Sequence, residues 1–294
     1  MEVPPRKALR VGFGLFTALA VVVFALSYFG VHLYSPLATD SVAMVRLEGP
    51  ILDARETVKT IRSYQDNARV RALVLRVDSP GGGVVASQEI HDAVVAFKDS
   101  GKQVVTSMGT VAASGGYYVA APSNLIVANP GTLTGSIGVI MSMANFEGLL
   151  EKVGIANVTI KAGANKDIGS PFREMTDADR ALLQGVMDDI HDQFIEAVAN
   201  GRGRPVEEVR PLADGRIFTG KQALEIGLVD EIGNLDTAIR RAGELAGIKG
   251  RPRVIERKKS RWGQFVADLE GAFPWTPSVG PGFSGVQAMY LMTP

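Results

Sequence analysis

Cysteine is absent from the 294 residues. That excludes disulfides, thiolate metal sites and a cysteine nucleophile. Exported proteins can also lack cysteine, so its absence leaves the compartment open. Histidine is scarce: His32, His91 and His191 are the three present. There is no HExxH pair, and His191 follows Asp188 and Asp189 without a second histidine nearby, so no metal site is expected. Net charge is also missing, because 31 Lys and Arg balance 31 Asp and Glu. Nothing in that balance points to nucleic acid. The nucleophile-elbow pattern GxSxG and the phosphate-loop pattern GxxxxGK[ST] are absent too, so no nucleotide or other cofactor is expected.

One long uncharged run is present. Val11 to Gly30 reads VGFGLFTALAVVVFALSYFG, the length of a bilayer-spanning helix. Arg6, Lys7 and Arg10 precede it, so residues 1–10 should stay in the cytoplasm and everything after residue 31 should lie outside. The competing reading is a cleaved signal peptide, but no small-x-small site follows in His32 to Asp40.

Beyond the run, strand and helix patterns alternate. Strands are expected at Val42 to Leu47, Val70 to Val77, Gln103 to Met108, Leu125 to Ala128 and Asn157 to Lys161. Helices are expected at Asp53 to Asn67, Ser87 to Phe97, from Gly115, from Thr176 to about Asn200, and at Asn234 to Ala246. Val70 to Val77 is apolar on both faces, as in a buried parallel strand. Asp78 to Gly83 reads as a turn and Gly109 to Ser114 as a loop. The pattern predicts an α/β domain with parallel strands and crossover helices over residues 42–247. Residues 248–294 differ: Lys249 to Arg261 holds seven basic residues and one acid, followed by Trp262, Phe265, Val266, Leu269 and Phe273 on one helical face. Such a segment fits a membrane surface, a subunit contact or a solvated edge. Pro274 to Pro294 reads as flexible.

Four stretches carry candidate chemistry. In Ala113-Ser114-Gly115-Gly116-Tyr117, a serine sits where a loop enters a helix. It is either a nucleophile beside the Gly115 N–H or an ordinary helix cap. Asp78-Ser79-Pro80-Gly81-Gly82-Gly83 follows a buried strand, and Gly81 either offers a second amide to an oxyanion or makes a plain strand–helix turn. Lys166 lies in a Gly-rich stretch, where a lysine is solvated unless desolvation or positive neighbours make it a base. Ser136, in Thr134-Gly135-Ser136-Ile137-Gly138, either orients such a lysine or is a turn serine. His91 and His191 sit within expected helices and read as structural.

Taken together and in order, DSPGGG, ASGGYY, TGSIGV, AGANKDIGSP (Ala162 to Pro171), RIFTGKQA (Arg216 to Ala223) and IGLVD (Ile226 to Asp230) resemble the short bacterial form of signal peptide peptidase A. The resemblance implies a Clp-protease/crotonase-like fold, with Ser114 as nucleophile, Lys166 as general base, Ser136 as lysine-orienting residue and Gly81 and Gly115 as oxyanion donors. It implies degradation of remnant signal peptides and other apolar peptides at the extracytoplasmic side of the bacterial inner membrane. It also implies ring-shaped homo-oligomers in which a neighbouring subunit helps complete each site. Two alternatives stand beside it: a non-catalytic membrane scaffold of the same fold, and a crotonase-like enzyme acting on acyl-CoA.

Overall fold

The structure, a computed structural model, describes residues 40–257 and 289–292, together with Val21 and Val23. The chain divides into two units, Met1–Asp40 and Ser41–Pro294. In the first, Val21 and Val23 are helical and exposed. The rest of the expected anchor, and the basic amphipathic stretch after Arg257, lie outside the described residues. Among the described residues, no helix is long and apolar enough to cross a membrane.

The second unit runs in the order β1 (Ser41–Glu48), α1 (Arg55–Gln65), β2 (Val70–Ser79), β3 (Gly81–Gly83), α2 (Val84–Asp99), β4 (Gln103–Ala113), α3 (Gly115–Ala120), β5 (Leu125–Ala128) and β6 (Leu133–Gly135). It continues with α4 (Glu147–Lys152), α5 (Asp177–Arg202), α6 (Val206–Val209), β7 (Ile217–Thr219), α7 (Gly220–Glu225), β8 (Glu231–Ile232), α8 (Leu235–Leu245), β9 (Arg253–Glu256) and β10 (Met289–Leu291). The main sheet follows β7-β6-β4-β2-β1-β9, with β5 on β4 and β8 on β5. Every ladder in it is parallel except β6 with β7. This mixed α/β architecture with a largely parallel sheet fits the expected Clp-protease/crotonase-like class.

β2 shows why such a strand reads as a nearly unbroken apolar run. Leu73, Leu75 and Val77 enter the larger core with Ile61 of α1, Ile90 and Phe97 of α2, Tyr117 of α3 and Phe194 of α5. Ala72 and Val74 face the other way, with Val42, Val105 and Val127, under Ala238 and Ala242 of α8. Covering both faces demands apolar side chains at odd and even positions alike. The helices are started by their own sequences. Thr176 and Asp179 form a reciprocal capping box on α5, and Asn234 with Thr237 does the same for α8.

Three expectations are corrected. Gly109 to Ala113 is strand, not loop. β4 makes a bulge between its pairings Val77↔Met108 and Ser79↔Ala112, then resumes beside β6. Asp78 holds the bulge by accepting the Val111 N–H at 3.1 Å. Asn157 to Lys161 forms no strand, because its alternating Val158 and Ile160 stand exposed (83% and 95%) with no ladder beside them. Residues beyond 247 contribute two strands. β9 pairs with β1, and β10, within the stretch expected to be flexible, pairs with β3.

Truncating Leu75 to alanine should cost about 2–5 kcal/mol in urea unfolding, the range for a fully buried leucine. A loss below about 1 kcal/mol would contradict this two-sided packing.

Candidate active site

Three parallel strands, β2, β4 and β6, end side by side, and the candidate residues follow their carboxyl ends. Ser114 comes directly after β4 at the amino end of α3. Its backbone has φ 52° and ψ −120°, a left-handed conformation that non-glycine residues rarely adopt. Its side chain makes no helix-cap hydrogen bond. The residue is 1% exposed, and its Oγ is buried without a hydrogen-bond partner. A plain cap serine would have spent that hydroxyl on the helix. A buried hydroxyl left unpaired in a strained turn needs another explanation, and a reacting group is one.

The strain is imposed by the neighbours. The Ser114 N–H donates to the Gly135 carbonyl at 2.8 Å, which fixes the turn to the end of β6. The Thr134 hydroxyl donates to the Ala112 carbonyl just before it. On the other side the glycines admit no substituent. A Cβ on Gly115 would lie 2.5 Å from Ser87 Oγ, and one on Gly116 would lie 2.9 Å from the Ser79 carbonyl oxygen. Gly81, at φ 100°, approaches so closely that its Cβ would lie 2.7 Å from the Gly115 nitrogen. The two candidate oxyanion amides therefore sit on adjoining turns. The Gly81 N–H donates to Ser79 Oγ at 3.1 Å.

Ser136 is brought to the same place. Gly135 and Ser136 both have positive φ, 78° and 50°, so the chain reverses sharply after β6. Ser136 lines a cavity of about 380 Å³ with Ile140, His191, Leu291 and Met292 among its walls. His191 is held by the Ala213 carbonyl at 2.7 Å from Nε2. His91 packs its ring 4.9 Å from that of Tyr118, and burial pushes its pKa below the ordinary value.

Lys166 is not joined to Ser114. It lies on an arm leading from β6 to α5, in a stretch exposed throughout residues 151–166. Its amine makes no hydrogen bond or ion pair among the described residues, and Ser114 Oγ also has none. The far end of the arm is clamped. Arg173 donates to Asp167, at 2.9 Å from Nε, and to Asp179 at the start of α5, while Lys161 pairs with Asp167. Arg173 holds Asp167 far below the usual carboxylate range. It also draws Asp179, helped by the Thr176 N–H, from 3.8 to about 2.

Sequence reasoning missed two features of this site. One is the Ser79 hydroxyl under Gly81. The other is β10, whose only advance signal is the short apolar run Met289 to Met292 at the end of an uncharged, Pro- and Gly-rich stretch.

A largely parallel α/β sheet delivers a strained, partnerless serine beside the glycine amides, and the chain's relatives are serine proteases. Residues 96–249, just over half the chain, match peptidase family S49. A protein provisionally named a protease in Synechocystis sp. is 44% identical over 209 residues, covering 70% of this chain and 75% of that one. One provisionally named signal peptide peptidase SppA in Enterococcus faecium is 41% identical over 179 residues, covering 61% and 52%. Protease 4 of Salmonella typhi is 37% identical over 235 residues, covering 76% of this chain and 38% of its own longer one. The chain belongs to peptidase family S49 and is an SppA-like serine protease acting on peptides.

Two outcomes follow from the geometry. Ser114→Gly should be more stable than Ser114→Ala by about 1 kcal/mol in thermal unfolding, since glycine takes the positive φ without strain. Equal melting would mean that the turn is relaxed. Arg173→Ala should speed amide exchange over residues 160–175 at neutral pH. A carboxylate whose pKa falls on folding adds stability above its ordinary value and loses it as pH drops toward the folded one. In the native chain the clamp should therefore hold at neutral pH and fail only between pH 3.8 and about 2. Loosening near pH 6 would contradict it.

Proposed function

We propose that the chain is a Ser–Lys endopeptidase, anchored in the inner membrane by residues 11–30, that degrades remnant signal peptides and other apolar peptides on the extracytoplasmic side. The observation that carries this reading is the buried, partnerless Ser114 hydroxyl in its strained turn. Ser114 Oγ attacks the scissile carbonyl and passes its proton to the Lys166 amine. The carbonyl oxygen, now negative, is held by the Gly81 and Gly115 amides. Gly81 must then turn its N–H from Ser79 to the substrate. Lys166 hands the proton to the departing amine, later takes one from water, and so releases the acyl group from Ser114. Ser136 donates to or accepts from the lysine amine and points it at Ser114.

A neighbouring copy in a ring-shaped oligomer supplies Lys166 in this reading. Support comes from the arm that carries it. Leu149, Val153, Ile155, Val158 and Ile160 are all exposed there, and α4 buries nothing. An apolar edge of that kind is the usual mark of an association surface.

Ser114→Ala and Lys166→Ala should each lower cleavage of an apolar reporter peptide by about a thousandfold or more. Co-purified mixed oligomers of the two variants should recover part of the activity, because a serine from one chain meets a lysine from another. Recovery absent from verified mixed oligomers would place the dyad within one chain. The rate at saturating peptide should climb from acid toward alkaline pH, since only an unprotonated amine accepts the serine proton. A flat profile would exclude a lysine base.

A further inference from the structure

Two amides are assigned to one developing charge, but the structure holds them differently. Gly115 opens α3, where the first N–H groups have no partner within the helix. The Gly81 N–H already has one, since it donates to Ser79 Oγ at 3.1 Å. Both residues are buried, Ser79 completely, so water does not contest that bond. Ser79 is also fixed in place. It ends β2 opposite Ala112 of β4, and its carbonyl oxygen lies 2.9 Å from where a Gly116 Cβ would stand. The rest of the glycine turn is fastened by other bonds. The Ile51 N–H donates to the Gly81 carbonyl and the Gly83 N–H to the Ile51 carbonyl, each at 2.8 Å. The Ser87 hydroxyl donates to the Gly83 carbonyl at 2.9 Å. None of these bonds uses the peptide plane between Pro80 and Gly81, and glycine has no side chain to obstruct its rotation. The Gly81 amide can therefore change partner while the turn stays anchored.

We infer that Ser79 is a positioning residue: its hydroxyl withholds the Gly81 amide from a neutral peptide carbonyl and yields it to the oxyanion alone. The inference deepens the reading of Ser114 as nucleophile and Gly81 as oxyanion donor, and rests on it. The reason is the relative strength of the acceptors. A hydroxyl oxygen and an uncharged carbonyl accept with similar strength, so a bound peptide gives the amide no cause to leave Ser79. An oxygen that has gained the electron pair of the carbonyl bond is charged, and a hydrogen bond to a charged group is roughly twice as strong. The exchange thus becomes favourable only as Ser114 Oγ adds to the carbonyl carbon. An interaction made in the transition state and not in the bound ground state raises the rate, whereas one made in both merely tightens binding. Ser79 keeps the Gly81 contact in the first class.

The test is Ser79→Ala in the full chain, with the apolar reporter peptide as substrate. A released Gly81 amide meets the neutral carbonyl as well as the oxyanion. KM should fall about fivefold, the worth of one neutral hydrogen bond, while kcat changes less than about twofold. Thermal unfolding should come at a lower temperature, because a buried donor loses its partner. A merely structural role would lower stability and weaken peptide binding together, so a lower KM in a less stable chain is the distinguishing result. Ser79→Cys keeps a weak acceptor, should fall between the two, and carries the comparison if the alanine variant does not fold. The Met292 N–H donates to the Pro80 carbonyl at 2.8 Å on the same peptide plane. That contact does not involve residue 79, so the comparison isolates the hydroxyl. An unchanged or raised KM, or a fall in kcat alone, overturns the inference. Amide exchange at Gly81 reads the same bond without cleavage, and should be at least about tenfold faster in Ser79→Ala. If the native chain cleaves nothing, the peptidase reading falls; unchanged exchange at Gly81 overturns the role of Ser79 whether or not the chain cleaves.

Discussion

The hydrogen bond from the Ser114 amide to the Gly135 carbonyl is the constraint on which this site depends. It joins the ends of β4 and β6 and forces a non-glycine residue into a left-handed backbone, which costs on the order of 1–3 kcal/mol. That cost is borne by the packing around it. Gly81 and Gly115 meet so closely that neither has room for a side chain. The β4 bulge, held by Asp78, sets the height at which the strand delivers Ser114.

The sheet and the arm set the candidate residues in a buried and an exposed part. The serine, both glycine amides and Ser136 are attached to strands with covered faces. The lysine rides on a solvent-facing excursion fastened mainly where Arg173 bridges Asp167 and Asp179. The charged clamp fastens the base of the arm and leaves its middle exposed.

Much of this was legible beforehand, for reasons visible in particular residues. β2 announced itself because burial on two faces leaves an apolar run. α5 was marked by Thr176 and Asp179, residues that satisfy exposed helix amides. The glycine and serine motifs were recognisable because steric exclusion leaves so few alternatives at those positions. What escaped notice depends on contacts between distant segments. The bulge in β4 is created by Asp78, more than thirty positions away. Val158 and Ile160 alternate as strand residues do, yet alternation supplies no partner edge. Nothing local in Met289-Tyr290-Leu291 says that it will find a glycine edge some two hundred residues earlier.

The bare stretch around Val158 and Ile160 has a further consequence for handling the molecule. Greasy side chains standing almost wholly in water make a solitary chain colloidally unsound. Until that edge is covered, each freshly made copy is a candidate for adhesion to whatever apolar matter it meets. Dilution, detergent and the timing of synthesis thus become variables as consequential for this protein as temperature.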